Sequence, residues 1–181
     1  MLTWLKNRRD RQRIARSLYG SSVTAARACN FYAQWGVPDT VQGRFEMIAL
    51  HMFLVLQRLK AAGEDELAQQ LFDTMFADMD HSLREMGAGD LGVGRRVRAM
   101  AEGLYGRIAA YEAGLDDGGD RELAAALRRN LFGTVPDPGP SAVALQSLCG
   151  YLRAAALNLR SQSAAAIAAG SLQFPALTGD R

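Results

Sequence analysis

Apolar residues recur along the chain at helical spacing in seven stretches, near 6–19, 22–35, 40–62, 65–86, 95–115, 120–132 and 141–160. The 40–62 stretch is the strongest. Val41, Phe45, Ile48, Met52, Val55 and Leu59 alternate steps of four and three, which places them on one helical face. Leu50, Phe53, Leu54 and Leu56 add apolar surface around the rest of the circumference, so this helix is predicted to be central. In 65–86 the stripe is Leu67, Leu71, Met75, Met79, Leu83 and Met86, with Phe72 and Phe76 beside it.

The breaks between stretches carry helix-terminating chemistry. Gly36 and Pro38 close the second stretch, and Asp39 with Gln42 three residues on reads as a capping box for the third. Gly63 ends the third. Gly87 closes the fourth and Asp90 starts the next, with regular periodicity resuming at 95. Gly118-Gly119 and the Pro136–Pro140 segment separate the later helices, and Ser141 caps the last. The expected architecture is all-α, a single compact bundle of six or seven helices. Residues 1–20 read as a basic N-terminal helix or arm, 21–170 as the helical domain and 171–181 as a flexible tail.

Composition agrees. Val, Ile and Thr together supply 18 of 181 residues while Ala alone supplies 30, a balance against strands. With 49% hydrophobic and 22% charged residues the chain folds around a core and is not a disordered segment. Cys29 and Cys149 form no Cys-x-x-Cys pair. They read as core thiols in a reducing compartment, not as a disulfide or zinc framework. The longest apolar runs, 47–50 and 52–56, are split by His51 and fall short of the roughly 18–20 residues of a membrane span. Lys6, Arg8 and Arg9 come too early for a signal-peptide core, so no leader is expected.

The net charge of +2 argues against a dedicated nucleic-acid binder, but it conceals a separation. Residues 1–20 hold six bases and one acid, and residues 64–90 hold eight acids and one base. Lys6, Arg9, Arg13 and Arg16 share a helical face. That face is either the solvated side of a docking helix or a contact with anionic lipid or RNA.

No catalytic constellation emerges. Gly87-x-Gly89-x-x-Gly92 follows a helix, not a strand, and reads as a helix–turn–helix joint and not a dinucleotide fingerprint. Asp78-Met79-Asp80-His81 fails as a calcium loop, because position six is Leu83 and position twelve is Gly89; these acids read as solvated or ion-paired. His51, inside the most apolar helix, is expected to be buried and hydrogen-bonded. Arg44 and Glu46, too close in sequence to pair with each other, are expected to bridge to the acidic helix or to Arg84. No catalytic residue, metal site or cofactor is assigned.

Two blocks are more specific than periodicity. One is Phe31-Tyr32, then Gly36-Val37-Pro38-Asp39-Thr40-x-x-Gly43-Arg44-Phe45-Glu46, then Leu50-His51. The other is Gln70-Leu71-Phe72-Asp73-x-Met75-Phe76-x-Asp78-Met79-Asp80, then Leu83-Arg84-Glu85-Met86-Gly87-x-Gly89-Asp90. Together they resemble the ubiquinol–cytochrome c chaperone family, whose best-known members are mitochondrial assembly factors for cytochrome b of the bc1 complex.

The resemblance implies an all-helical chaperone without enzymatic activity, a bacterial member with cytochrome b or other bc1 subunits as client. It also implies a cytoplasmic location, free or peripheral at the inner face of the cytoplasmic membrane. Mitochondrial relatives add a small partner subunit and a contact near the ribosomal exit. The motif residues Phe31, Tyr32, Pro38, Asp39, Gly43, Arg44, Glu46, His51, Asp73, Asp78, Asp80, Arg84, Glu85, Gly87, Gly89 and Asp90 become structural or client-binding candidates. Lys6, Arg9, Arg13 and Arg16 become membrane or ribosome candidates. Met75, Met79, Met86 and Met100 are either a soft client groove or core filling. Two other readings stand beside this one: a helical membrane-surface adaptor, and a magnesium-dependent enzyme of isoprenoid or quinone lipids using Asp73, Asp78 and Asp80.

Overall fold

The computed structural model describes residues 2–85, 87, 90–136 and 139–177, without the side chains of 2–6, 90 and 91. Among them are eight helices and no strand: α1 (Leu2–Ala26), α2 (Cys29–Ala33), α3 (Val41–Ala61), α4 (Asp65–Glu85), α5 (Asp90–Asp116), α6 (Arg121–Phe132), α7 (Ala142–Ser161) and α8 (Ala164–Ala168). Six are long and two have five residues.

Helix α3 is the axis, as its apolar circumference requires. Every residue from Phe45 to Val55 is buried, and α3 touches α1, α4, α5, α6, α7 and α8. Phe53, Leu50 and Met52 have no exposed surface; each contributes roughly 1.5–3 kcal/mol of burial. Around α3, the Arg11–Glu66 and Tyr19–Asp78 contacts advance together, so α1 lies parallel to α4. Phe72 stacks on Tyr105 across the α4–α5 hairpin. Arg153 of α7 donates to the Gly114, Leu115, Asp117 and Gly119 carbonyls, fastening the α5–α6 corner to α7.

Several boundaries differ from the sequence expectation, each for an identifiable reason. The break expected between residues 19 and 22 does not exist, because α1 runs on to Ala26. Gly20 costs a helix interior only about 1 kcal/mol. The buried stripe Ala15, Leu18, Tyr19, Ser22 and Ala26 carries the helix past it, with the Ser22 hydroxyl donating to the Leu18 carbonyl. The N-terminal region is therefore part of the bundle. Helix α5 starts at Asp90, as expected, with its glycine-rich first turns helical and Val93 among them fully buried. Gly87 has φ +83° and is the left-handed residue of the joint.

Helix α3 is capped by Thr40, whose Oγ1 accepts from the Gly43 N–H at 3.1 Å, and not by Asp39. Gln42 makes no capping box; its amide donates to Glu46 instead. At the C-terminus the sequence reading stops short. Helix α8 follows α7, and residues 171–177, expected within a free tail, bury Leu172 and Leu177 and set Phe174 against His51. The Gln162 amide fixes this segment by donating to the Gln173 carbonyl and accepting from its N–H.

Gly43 has a steric reason to be glycine. A Cβ there would lie 2.0 Å from the Pro38 carbonyl oxygen, a backbone atom that moves only with the turn. Gly43→Ala is expected to destabilise the fold by about 2–3 kcal/mol, read as a lower urea midpoint with unchanged m-value. A variant as stable as the parent would show that the 36–40 turn is soft.

Candidate functional site

The first motif block builds an interior. His51 of α3 is fully buried. The Met47 carbonyl, 2.8 Å from Nδ1, can only accept, so Nδ1 carries the hydrogen. Nε2 then accepts from the Tyr151 hydroxyl of α7 at 2.7 Å. Phe31 lies edge-on to both rings at 5.7 and 5.0 Å, and Phe174 to His51 at 4.9 Å. Burial drives the imidazole down to about 4, partly offset by the Met47 carbonyl, so His51 is neutral; it is buried and hydrogen-bonded, as expected.

Glu46 and Arg44 do not bridge to the acidic helix or to Arg84. Glu46 is 1% exposed and is held by the Arg107 guanidinium of α5 in a two-pronged ion pair, with the Gln42 amide donating to the same carboxylate. Arg107 also lies 5.7 Å from the centre of the Phe45 ring. Arg44 pairs with Asp39 at 2.6 Å on the surface and holds that carboxyl below its usual range. The Tyr32 hydroxyl donates to the Ala26 carbonyl and closes the α1–α2 turn. Cys29, expected in the core, is exposed in a cleft of about 250 Å³ with Arg27, Tyr32, Asp39 and Arg44; only Cys149 is buried.

The second block buries Leu71, Met75 and Phe76 and turns its polar residues outward on α4. Its acids are occupied within the chain: Asp73 accepts from Gln69, Asp78 from the Tyr19 hydroxyl, and Asp80 from Arg84, while His81 lies beside Glu85. Burial and then Asp78 raise the Tyr19 phenol well above its usual range, and Arg84 holds Asp80 below its own. Arg16 lines a polar groove of about 460 Å³ with Asp73 and Asp78, bringing one basic candidate to the acidic face. Arg9 and Arg13 are exposed. The side chains of Lys6 and Asp90, and Gly89 and Met86 entirely, lie outside the described residues. Among the described residues no group of three or more His, Cys, Asp or Glu side chains is placed to hold a metal ion.

An apolar groove of about 450 Å³ opens between α3, α4 and α5. Leu56, Ala68, Phe72, Tyr105 and Ile108 line it, and Lys60, Asp65 and Glu112 stand among its polar groups. Tyr105 is 60% exposed and stacks on Phe72 at 5.4 Å. The described methionines do not line this groove. Met75 is fully buried, and Met79 and Met100 pack partly buried against the core. The two motif blocks are thus separate places joined through α5, which sends Arg107 to Glu46 and Tyr105 to Phe72. Sequence reasoning missed Arg107, Tyr105 and Tyr151, because each acquires its role across a helix interface.

With this geometry in place, the family profile described as ubiquinol-cytochrome C chaperone matches residues 33–174. The chain belongs to the ubiquinol–cytochrome c chaperone family. The match takes in α3 to α8, with His51, Tyr151 and Phe174 and the Glu46–Arg107 pair, and begins just after Phe31. A solved structure, the Cbp3 homolog from Brucella abortus, is 40% identical with a TM-score of 0.81, and the likeness covers 97% of each chain. Ubiquinol-cytochrome-c reductase complex assembly factor 1 of Xenopus laevis is 31% identical over 104 residues, 56% of this chain and 52% of that protein. The Homo sapiens protein of that name is 29% identical over 119 residues, 64% of this chain and 39% of its own length. The chain therefore spans about half or less of these curated relatives.

Proposed function

We propose that this member of the ubiquinol–cytochrome c chaperone family is a non-enzymatic assembly factor for the bc1 complex, holding newly made cytochrome b at the inner face of the cytoplasmic membrane. The observation that carries this reading is the family match across residues 33–174. The α3–α4–α5 groove supplies the chemistry: stacked Phe72 and Tyr105 beside Leu56 and Ile108 offer an apolar surface to a hydrophobic client segment. No described helix is long and apolar enough to cross a membrane. Recruitment to a membrane surface is assigned to the basic face of α1, where Arg9 and Arg13 are exposed. An anionic bilayer and ribosomal RNA both present the phosphate chemistry this face would meet.

Deletion of the gene is expected to lower spectroscopic haem b and bc1 content, with restoration by the intact gene; normal bc1 levels would overturn the reading. In the groove, Phe72→Ala with Tyr105→Ala is expected to weaken capture of a radiolabelled cytochrome b translation product about tenfold. Because α1 is part of the bundle, its surface role is tested by Arg9→Glu with Arg13→Glu and not by truncation. Co-sedimentation with phosphatidylglycerol vesicles or with ribosomes at low salt is expected to fall, and unchanged sedimentation in both would remove this face from the mechanism.

A further inference from the structure

Residues 171–177 follow α8 without regular secondary structure and lie along α1. The Gly170 carbonyl accepts from the Ser17 hydroxyl at 2.8 Å, which seats the start of the segment on α1. Among the described residues, no backbone–backbone hydrogen bond involves residues 172–177. One side chain stands in for them, the Gln162 amide, paired with the Gln173 backbone in both directions. The remaining hold is apolar. Leu172 and Leu177 are buried, and Phe174 lies edge-on to His51 at 4.9 Å. Three apolar anchors face the conformational entropy of seven residues ordered outside any helix, so this segment belongs to the weakly held part of the fold.

The surface beneath it is built without its help. Phe31 packs on Trp35 at 5.4 Å and on Tyr151 at 5.0 Å, and the Tyr151–His51 hydrogen bond ties α7 to α3. Beside the segment an open cleft of about 580 Å³ runs along α1, walled by the small residues Gly20, Ser21, Thr24, Ala25 and Ala28 and reaching Tyr151. No charged side chain lines it among the described residues. The seated segment shows what this groove accepts: an uncharged, extended polypeptide with apolar residues at its second, fourth and seventh positions and an aromatic ring against His51. We infer that residues 171–177 are a displaceable strap over a second docking groove, and that the groove takes an extended, uncharged segment of a partner polypeptide with an aromatic residue where Phe174 stands. This groove, between α1, α3 and α7, lies apart from the α3–α4–α5 groove. The inference does not rest on which client that first groove holds.

The test uses the full chain and a fluorescein-labelled peptide of residues 171–177, titrated and read by anisotropy. A groove filled by its own strap is open to the peptide only in the fraction of molecules whose strap has left. Leu172→Ala with Phe174→Ala weakens the strap and leaves the groove intact. This variant is expected to bind the peptide about tenfold more tightly than the parent, and a peptide carrying Phe174→Ala is expected to lose that binding. Should the double variant lose helicity by circular dichroism, Gln162→Ala, which removes only the clamp, carries the same comparison. Equal binding by parent and variant, or binding by neither, would overturn the proposal. A fluorescent fatty acid bound by the variant more tightly than the peptide would also overturn it, by assigning the groove to an acyl chain. So would a parent dimer in sedimentation velocity that Leu172→Ala with Phe174→Ala abolishes, which would assign the groove to the strap of a second copy.

Discussion

Arg107→Ala is expected to destabilise the protein by about 3–5 kcal/mol, more than Glu46→Gln does. The asymmetry follows from burial. The Glu46 side chain is 2% exposed and that of Arg107 20% exposed. Removing the guanidinium strands a carboxylate that water cannot reach, with only the Gln42 amide still donating to it. Removing the carboxylate by Glu46→Gln leaves a guanidinium that can turn outward on its long stem and rehydrate, a loss of about 1–3 kcal/mol. Arg107→Met combined with Glu46→Leu removes both charges and is expected to recover much of the loss, as paired apolar replacement of buried ions commonly does. Urea unfolding of the three variants gives the ordering. An Arg107→Ala variant less affected than Glu46→Gln would show that Glu46 is solvated in the folded state.

The second large effect is on acid stability. Burial places the His51 imidazole at about 4 when folded, against 6.5 when unfolded. The unfolded chain therefore binds more protons between these values, and stability rises with pH across that window. The stabilising contribution is complete above pH 6.5 and is lost progressively as pH falls toward 4. At 1.36 kcal/mol per pH unit the full swing is about 3 kcal/mol. Asp39 and Asp80 are also held below their usual range by arginines, but a carboxyl with a depressed value acts only below its ordinary range near 3.8. Their contribution adds at the acid end of the curve and leaves the interval from 4.5 to 6.5 to His51. His51→Gln is expected to flatten that interval in a series of urea titrations, at a cost in absolute stability from the lost Tyr151 bond. A slope identical in the parent and the variant would show that His51 is not the titrating group.

These two sites also mark how far the sequence could be read. His51 was legible as a buried, hydrogen-bonded histidine because the apolar residues on every side of it left no other place for it. Its partner was not, since Tyr151 lies a hundred residues away on α7 and nothing in the α7 periodicity marks that tyrosine over any other. Glu46 was singled out and given the wrong partner. The acidic helix was near in sequence and rich in charge, whereas Arg107 looked like one basic residue among several on α5. Cys29 was read as a core thiol from residue type alone, and the short turn between α1 and α2 exposes it.

Local chemistry settled the elements that local chemistry can settle. The alternation of threes and fours through Val41–Leu59, the glycines at 63 and 87 and the serine at 141 specify helices, their ends and the central place of α3. Each rests on neighbours within about one turn. The charge separation between residues 1–20 and 64–90, and the two motif blocks that point to the ubiquinol–cytochrome c chaperone family, were equally on the surface of the sequence. Tertiary packing decided the rest. It carried α1 through Gly20, drew residues 171–177 onto the His51 cluster, filled the core with Met75 and opened the groove beside Tyr105. In each case the deciding contact joins residues far apart in the chain, and such contacts depend on which faces meet once the helices pack.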